Sequence, residues 1–135
     1  MFGGRTAQEA FFRGSDEQLD QAAAWLQERR LSERSRDAID ILHYADVPNL
    51  YFQYDIYHMQ IMEGDLAQTI ARHLPKIGHM QLADTPGRHE PGTGEIHYPF
   101  LLDHIDRIGY QGWIGCEYRP AGKTEEGLGW ARPYL

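Results

Sequence analysis

Asp55, Gln81 and Glu117 offer the clearest chemistry in the sequence. Each stands near the C-terminal end of a short apolar stretch: "YFQYDIYHMQ" (51–60), "GHMQLAD" (78–84) and "GWIGCEY" (112–118). Read as strands, these stretches alternate. Asp55 shares a side with Gln53 and Tyr57, opposite Phe52, Tyr54 and Ile56. Gln81 shares a side with His79 and Ala83, and Glu117 with Trp113 and Gly115. All three side chains bind cations through oxygen, which suits Mg²⁺ or Mn²⁺ better than a thiolate-seeking metal. One such residue alone reads as a solvated strand end. The same parity in three successive units points to a site, because ligands in parallel α/β folds gather at the carboxyl ends of strands.

The elements that must position them follow from the pattern around them. Helical spacing recurs in "SDEQLDQAAAWLQERRL" (15–31) and in 36–45, where Ala38, Ile41, Leu42 and Ala45 share a face. A strand over about 50–57 precedes the helical "GDLAQTIARHLPKI". The strand 78–84 is followed by the turn-rich loop "TPGRHEPGTGE", the helical "YPFLLDHIDRIG" and the strand 112–118. Strands alternating with helices predict βα units and a parallel sheet. The apolar faces meet the helices, and the other faces bring Asp55, Gln81 and Glu117 to one mouth.

The bulk composition narrows the classes. With 135 residues, 41% hydrophobic and 24% charged, the chain is globular and long enough for one domain. A net charge of −7 without any basic block argues against nucleic acid. No apolar run reaches the roughly 18 residues of a membrane span, so no membrane partner is expected. The single cysteine, Cys116, excludes an internal disulfide framework, and the start lacks the pattern of a secretory leader. A soluble, cytoplasmic protein is the expectation.

"NLYFQYDIYHMQIMEGDL", "IGHMQLADTPGRHEPGTGEIHY" and "GWIGCEYRP" closely resemble the C-terminal half of the hydroxypyruvate isomerase family, among the xylose-isomerase-like TIM barrels. The three motifs keep the family's order and spacing, and the resemblance extends over 36–135 to the closing "TEEGLGW". It implies an α/β chain holding the last three βα units of a (β/α)₈ barrel. Residues 1–35 would form a separate, mostly helical N-terminal segment.

The resemblance also implies roles. Asp55, Gln81 and Glu117 would hold a divalent metal, and Glu117 would also transfer protons. His58 and Arg88 would contact the substrate, a small hydroxy-keto acid. The reaction would be an aldose–ketose-type isomerisation interconverting hydroxypyruvate and tartronate semialdehyde through an enediolate, whose charge a metal and well-placed donors stabilise. Arg88 or Arg119 would pair with the substrate carboxylate. A related sugar acid such as 2-oxo-tetronate, and a non-catalytic remnant of such an enzyme, are the alternatives. The sequence leaves homo-oligomerisation open.

The family's pattern has a further glutamate on the preceding strand, and this chain has no match for it. Glu9, Glu17, Glu28 and Glu33 fall in segments that read as loop or helix. "PGTGE" lacks the Lys of a phosphate loop and reads as a turn-rich substrate loop, with Glu95 a solvated loop acid in preference to a substrate contact. His79 reads as a core histidine, Cys116 as packing against the helices, and Trp130 as an anchor.

Overall fold

The computed structural model describes residues 34–135. The helix predicted over 15–31 and the four glutamates just named lie outside the described residues. Helix α1 (Ser35–Ala45) turns Ile41 and Leu42 into the core, with Ala38 and Ala45 packed beside them, as the spacing predicts. Its first N–H finds a partner far along the chain. The Glu63 carboxylate accepts from Ser35 N at 2.8 Å and Ser35 Oγ at 3.1 Å, placing negative charge at the helix N-terminus.

Next come β1 (Phe52–Asp55), α2 (Ile56–Met62), α3 (Leu66–His73), a 3₁₀ turn (Leu74–Lys76) and β2 (Ile77–Leu82). Then α4 (Tyr98–Arg107), β3 (Ile114–Cys116), α5 (Thr124–Gly127) and a closing 3₁₀ segment (Leu128–Tyr134) complete the order. The three strands are parallel, in the order β1-β2-β3. This is the predicted βα succession, and it forms part of a barrel.

All three strands are shorter than predicted, β2 ending at Leu82 where the pattern ran to 84. β1 stops at Asp55, so Ile56, Tyr57 and His58 begin a helix instead of continuing the strand. β3 covers only 114–116, and Trp113 before it is 85% exposed. β2 starts one residue early, and its register against β1 slips: Phe52 pairs with Ile77 but Gln53 with His79. The extra residue is Gly78, where a Cβ would lie 2.7 Å from Tyr51 Cβ. The slip turns Ile77 to the same face as Met80 and Leu82.

That face and the helices make the core. Phe52, Tyr54, Met80 and Leu82 pack with Ile56, Met59, Leu66, Ile70, Leu101 and Ile105. Ile70 and Met80 are fully buried, each contributing about 1.5–3 kcal/mol by transfer from water. Buried positions Tyr98, Leu101 and Ile105 line one side of α4, and His104 Nε2 meets Ala67 O at 3.0 Å, tying α4 to α3. Cys116 departs from expectation. It is exposed.

Candidate active site

Asp55 has two local jobs. Its backbone ends β1 in extended conformation, and its Oδ1 accepts from His58 N at 3.2 Å as the N-cap of α2. The same turn brings His58 Nε2 within 3.7 Å of Asp55 Oδ2. The sheet register sets Asp55 beside Gln81, and Gln81 beside Gly115. Glu117 has the parity of Gly115 and is fastened to β2 by its N–H, which donates to Leu82 O at 3.0 Å. Gly115 leaves room for its neighbours, since a Cβ there would lie 3.0 Å from His79 Nε2. His79 therefore stands on the inner face, half-buried, and is not a core residue.

The loop after β2 supplies a cation. Arg88 Nη2 lies 2.7 Å from Glu117 Oε2 and 4.0 Å from Asp55 Oδ2. Its guanidinium also sits 5.1 Å from the centre of the Tyr57 ring. Asp55 and Glu117 thus project to the same face from different strands and meet at one nitrogen. On that face Gln81 Oε1 accepts a short hydrogen bond from Gln53 Nε2. Asp55 is buried while Glu117 is 51% exposed. Burial raises the Asp55 carboxyl above the ordinary range. His58 pulls it back by its charge and backbone N–H, the Glu117 carboxylate pushes it up, and Arg88 lowers it.

The donor set fits a hard cation in type: two carboxylates that already flank a positive group, and an amide oxygen on the same face. Among the described residues no three His, Cys, Asp or Glu side chains gather as a metal-binding group. Arg119 is placed differently from Arg88. Its N–H donates to Arg88 O at 2.8 Å, which makes its backbone part of the loop's anchorage.

Two carboxylates near this site escaped sequence reasoning. Asp84 is 1% exposed and accepts from three backbone N–H groups of the loop. Glu90 is buried and accepts from Ala121 N. Glu95, read from sequence as a solvated acid, is exposed yet accepts from Thr85 Oγ1 at 2.9 Å and Gln60 Nε2 at 3.3 Å. The Trp130 ring meets Tyr118 edge-on, the anchoring role predicted for it.

The family model described as "Xylose isomerase-like TIM barrel" matches residues 25–134. The chain belongs to that family. A 2-oxo-tetronate isomerase of Pectobacterium atrosepticum is 53% identical over 98 residues, which cover 73% of this chain and 37% of the relative. The hydroxypyruvate isomerase of Escherichia coli is 51% identical over 100 residues, 74% of this chain and 39% of the relative. A solved structure of an AP endonuclease, family 2, from Brucella melitensis superposes with a TM-score of 0.73 at 44% identity, covering 75% of this chain and 39% of that one. The chain thus spans under two-fifths of the length of these relatives. Among the described residues no helix is long and apolar enough to cross a membrane.

Proposed function

We propose that this chain carries the metal-holding and proton-transfer part of a sugar-acid isomerase acting on hydroxypyruvate or a close homologue such as 2-oxo-tetronate. The observation that carries the reading is the meeting of Asp55 and Glu117, from two strands, at the guanidinium of Arg88. Both isomerase names found among the relatives belong to this reaction class.

Asp55, Gln81 and Glu117 would hold Mg²⁺ or Mn²⁺. When bound, the cation stabilises negative charge on the substrate's carbonyl and hydroxyl oxygens. The chain's own residues supply the rest. Arg88 pairs with the substrate carboxylate, a geometry suited to its planar fork of donors. His58, held by Asp55, faces the substrate beside it. Glu117 removes a proton from the hydroxymethyl carbon of hydroxypyruvate, leaving an enediolate. Protonated Glu117 returns the proton to the adjacent carbon and the hydroxyl proton moves to the former carbonyl oxygen, giving tartronate semialdehyde. No electrons leave the substrate, so no redox partner is required. Glu117 is half-exposed, which allows it to exchange protons with solvent between turnovers.

Proton abstraction is testable apart from net turnover. The chain is incubated in D₂O with Mg²⁺ or Mn²⁺ and hydroxypyruvate or 2-oxo-tetronate, and deuterium entry at the carbon next to the carbonyl is followed by NMR. Exchange that Glu117→Gln abolishes supports the reading. Exchange no faster than in Glu117→Gln, with either metal and either acid, overturns it.

A further inference from the structure

Asp84 follows β2 directly, and its buried carboxylate has each of its oxygens engaged by loop backbone. Oδ1 accepts from Thr85 N at 2.9 Å and Ile96 N at 3.0 Å, while Oδ2 accepts from Gly92 N at 2.8 Å. Those donors come from the start, the far side and the end of the loop. The loop's backbone adds Asp84 N to His89 O at 2.9 Å and Glu95 N to Thr85 O at 2.9 Å. Closure is tight: a Cβ on Gly94 would lie 1.8 Å from Thr85 O and 2.7 Å from Asp84 Oδ1. The frame projects Arg88, which adopts a left-handed backbone with φ 55°.

A second carboxylate fastens the frame to the segment after β3 that begins with Glu117. Glu90 is 5% exposed, and its two oxygens lie 3.0 and 3.3 Å from Ala121 N. Gly127 of α5 backs that carboxylate so closely that a Cβ would come within 2.2 Å of Glu90 Oε1. Around this latch, Arg119 N donates to Arg88 O and His89 Nδ1 lies 2.7 Å from Arg119 O. Burying two acids near a site costs free energy unless they are satisfied, and here backbone N–H groups satisfy them.

We propose that Asp84 and Glu90 are positioning residues: Asp84 gathers residues 85–96 into one frame, and Glu90 pins that frame to residues 117–121. Arg88 is thereby held at Glu117 before any ligand arrives. The use of that held guanidinium for a substrate carboxylate rests on the function proposed above; the holding itself does not. Pre-ordering a long side chain removes the entropy cost of fixing it on binding.

The test reads Arg88 directly. The whole chain and the variants Asp84→Asn and Glu90→Gln are treated with phenylglyoxal, and modification of each arginine is timed by mass spectrometry. Each variant replaces an acceptor oxygen by an NH₂ group, which cannot accept from backbone N–H. Arg107, which pairs with Asp103 on α4, is the internal reference. The expected result is modification of Arg88 about tenfold faster in each variant, with Arg107 unchanged, as expected for loss of one charged hydrogen bond. An unchanged Arg88 rate overturns the proposal. So does a parallel rise at all arginines, which would show that the two acids hold the fold in general. Deuterium entry into hydroxypyruvate forms the second arm. A freed Arg88 with unaltered KM for that exchange leaves the positioning intact and sinks the assignment of Arg88 to the substrate carboxylate.

Discussion

Arg88 Nη2 donates to Glu117 Oε2 at 2.7 Å while Arg88 Nε reaches the carbonyl oxygen of the same residue at 3.4 Å. One side chain of the β2 loop therefore grips both the carboxylate and the backbone of the residue that follows β3. With Asp55 4.0 Å from the same nitrogen, the guanidinium also offsets the repulsion between two acids that the barrel geometry forces together.

Replacing Arg88 separates stability from binding. Its left-handed backbone costs an ordinary residue about 1–2 kcal/mol, a cost glycine escapes, although glycine loses more entropy on folding. Losing a partly exposed ion pair costs about 0–1 kcal/mol in the other direction. Arg88→Gly should therefore stay within about 1 kcal/mol of the parent in denaturant unfolding. Calorimetry should show hydroxypyruvate binding weakened roughly 10–100-fold, with binding of uncharged dihydroxyacetone unaffected. Equal losses for both ligands would show that Arg88 shapes the pocket without pairing with the carboxylate.

Gly94 has no room for a side chain, and the atom in the way is backbone. A Cβ 1.8 Å from Thr85 O must push the loop apart at the Asp84 frame. Gly94→Ala should cost at least about 2 kcal/mol, read as a lower denaturant midpoint. Gly122→Ala is the control: nothing lies within 4 Å of its Cβ position, and the change should stay within about 0.5 kcal/mol.

Much of this arrangement was legible in the sequence, for a definite reason. Strand alternation places Gln53, Asp55, Gln81 and Glu117 on one face whatever the rest of the chain does, and the short Gln53–Gln81 hydrogen bond lies on that face. The end of β1 was misjudged because Asp55 serves both strand and helix. An acid three residues before His58 is an N-cap spacing, and that was the available signal. The slip at Gly78 arises between strands and leaves no mark on either one alone. Asp84 and Glu90 were missed for a similar reason. Their partners are backbone N–H groups, and only the folded loop brings Gly92, Ile96 and Ala121 to them.

The Glu90 latch should weaken in acid. The N–H of Ala121 favours the charged carboxylate and lowers its proton affinity below the ordinary glutamate value of 4.5. A lowered folded value means that the unfolded chain takes up the proton first. The stabilisation is then complete above 4.5 and is lost as pH falls from there through the lower, folded value. Asp55 titrates with the opposite sign, so the parent alone would mix the two effects. The difference in unfolding free energy between parent and Glu90→Gln isolates the latch. It should be constant from pH 7 to about 5 and shrink at lower pH. A difference that grows in acid would contradict the assignment.

Asp55 and Glu117 share the proposed role of holding the cation, but Glu117 alone is assigned the proton, and the two roles fail differently. Neutralising a ligand weakens metal binding, a loss that mass action can restore. Removing the group that carries the proton leaves no such remedy, and a positioned acid–base group is worth roughly 10²–10⁴-fold in rate. Deuterium entry into hydroxypyruvate should therefore fall in Asp55→Asn and recover as Mn²⁺ is raised. In Glu117→Gln it should stay about 10²–10⁴-fold below the parent at every Mn²⁺ concentration. Mn²⁺ binding, read independently by electron paramagnetic resonance, should weaken in both variants. Recovery of Glu117→Gln by excess Mn²⁺ would reduce Glu117 to a ligand and move the proton transfer to another group. Full exchange in Asp55→Asn without added metal would remove Asp55 from the cation set.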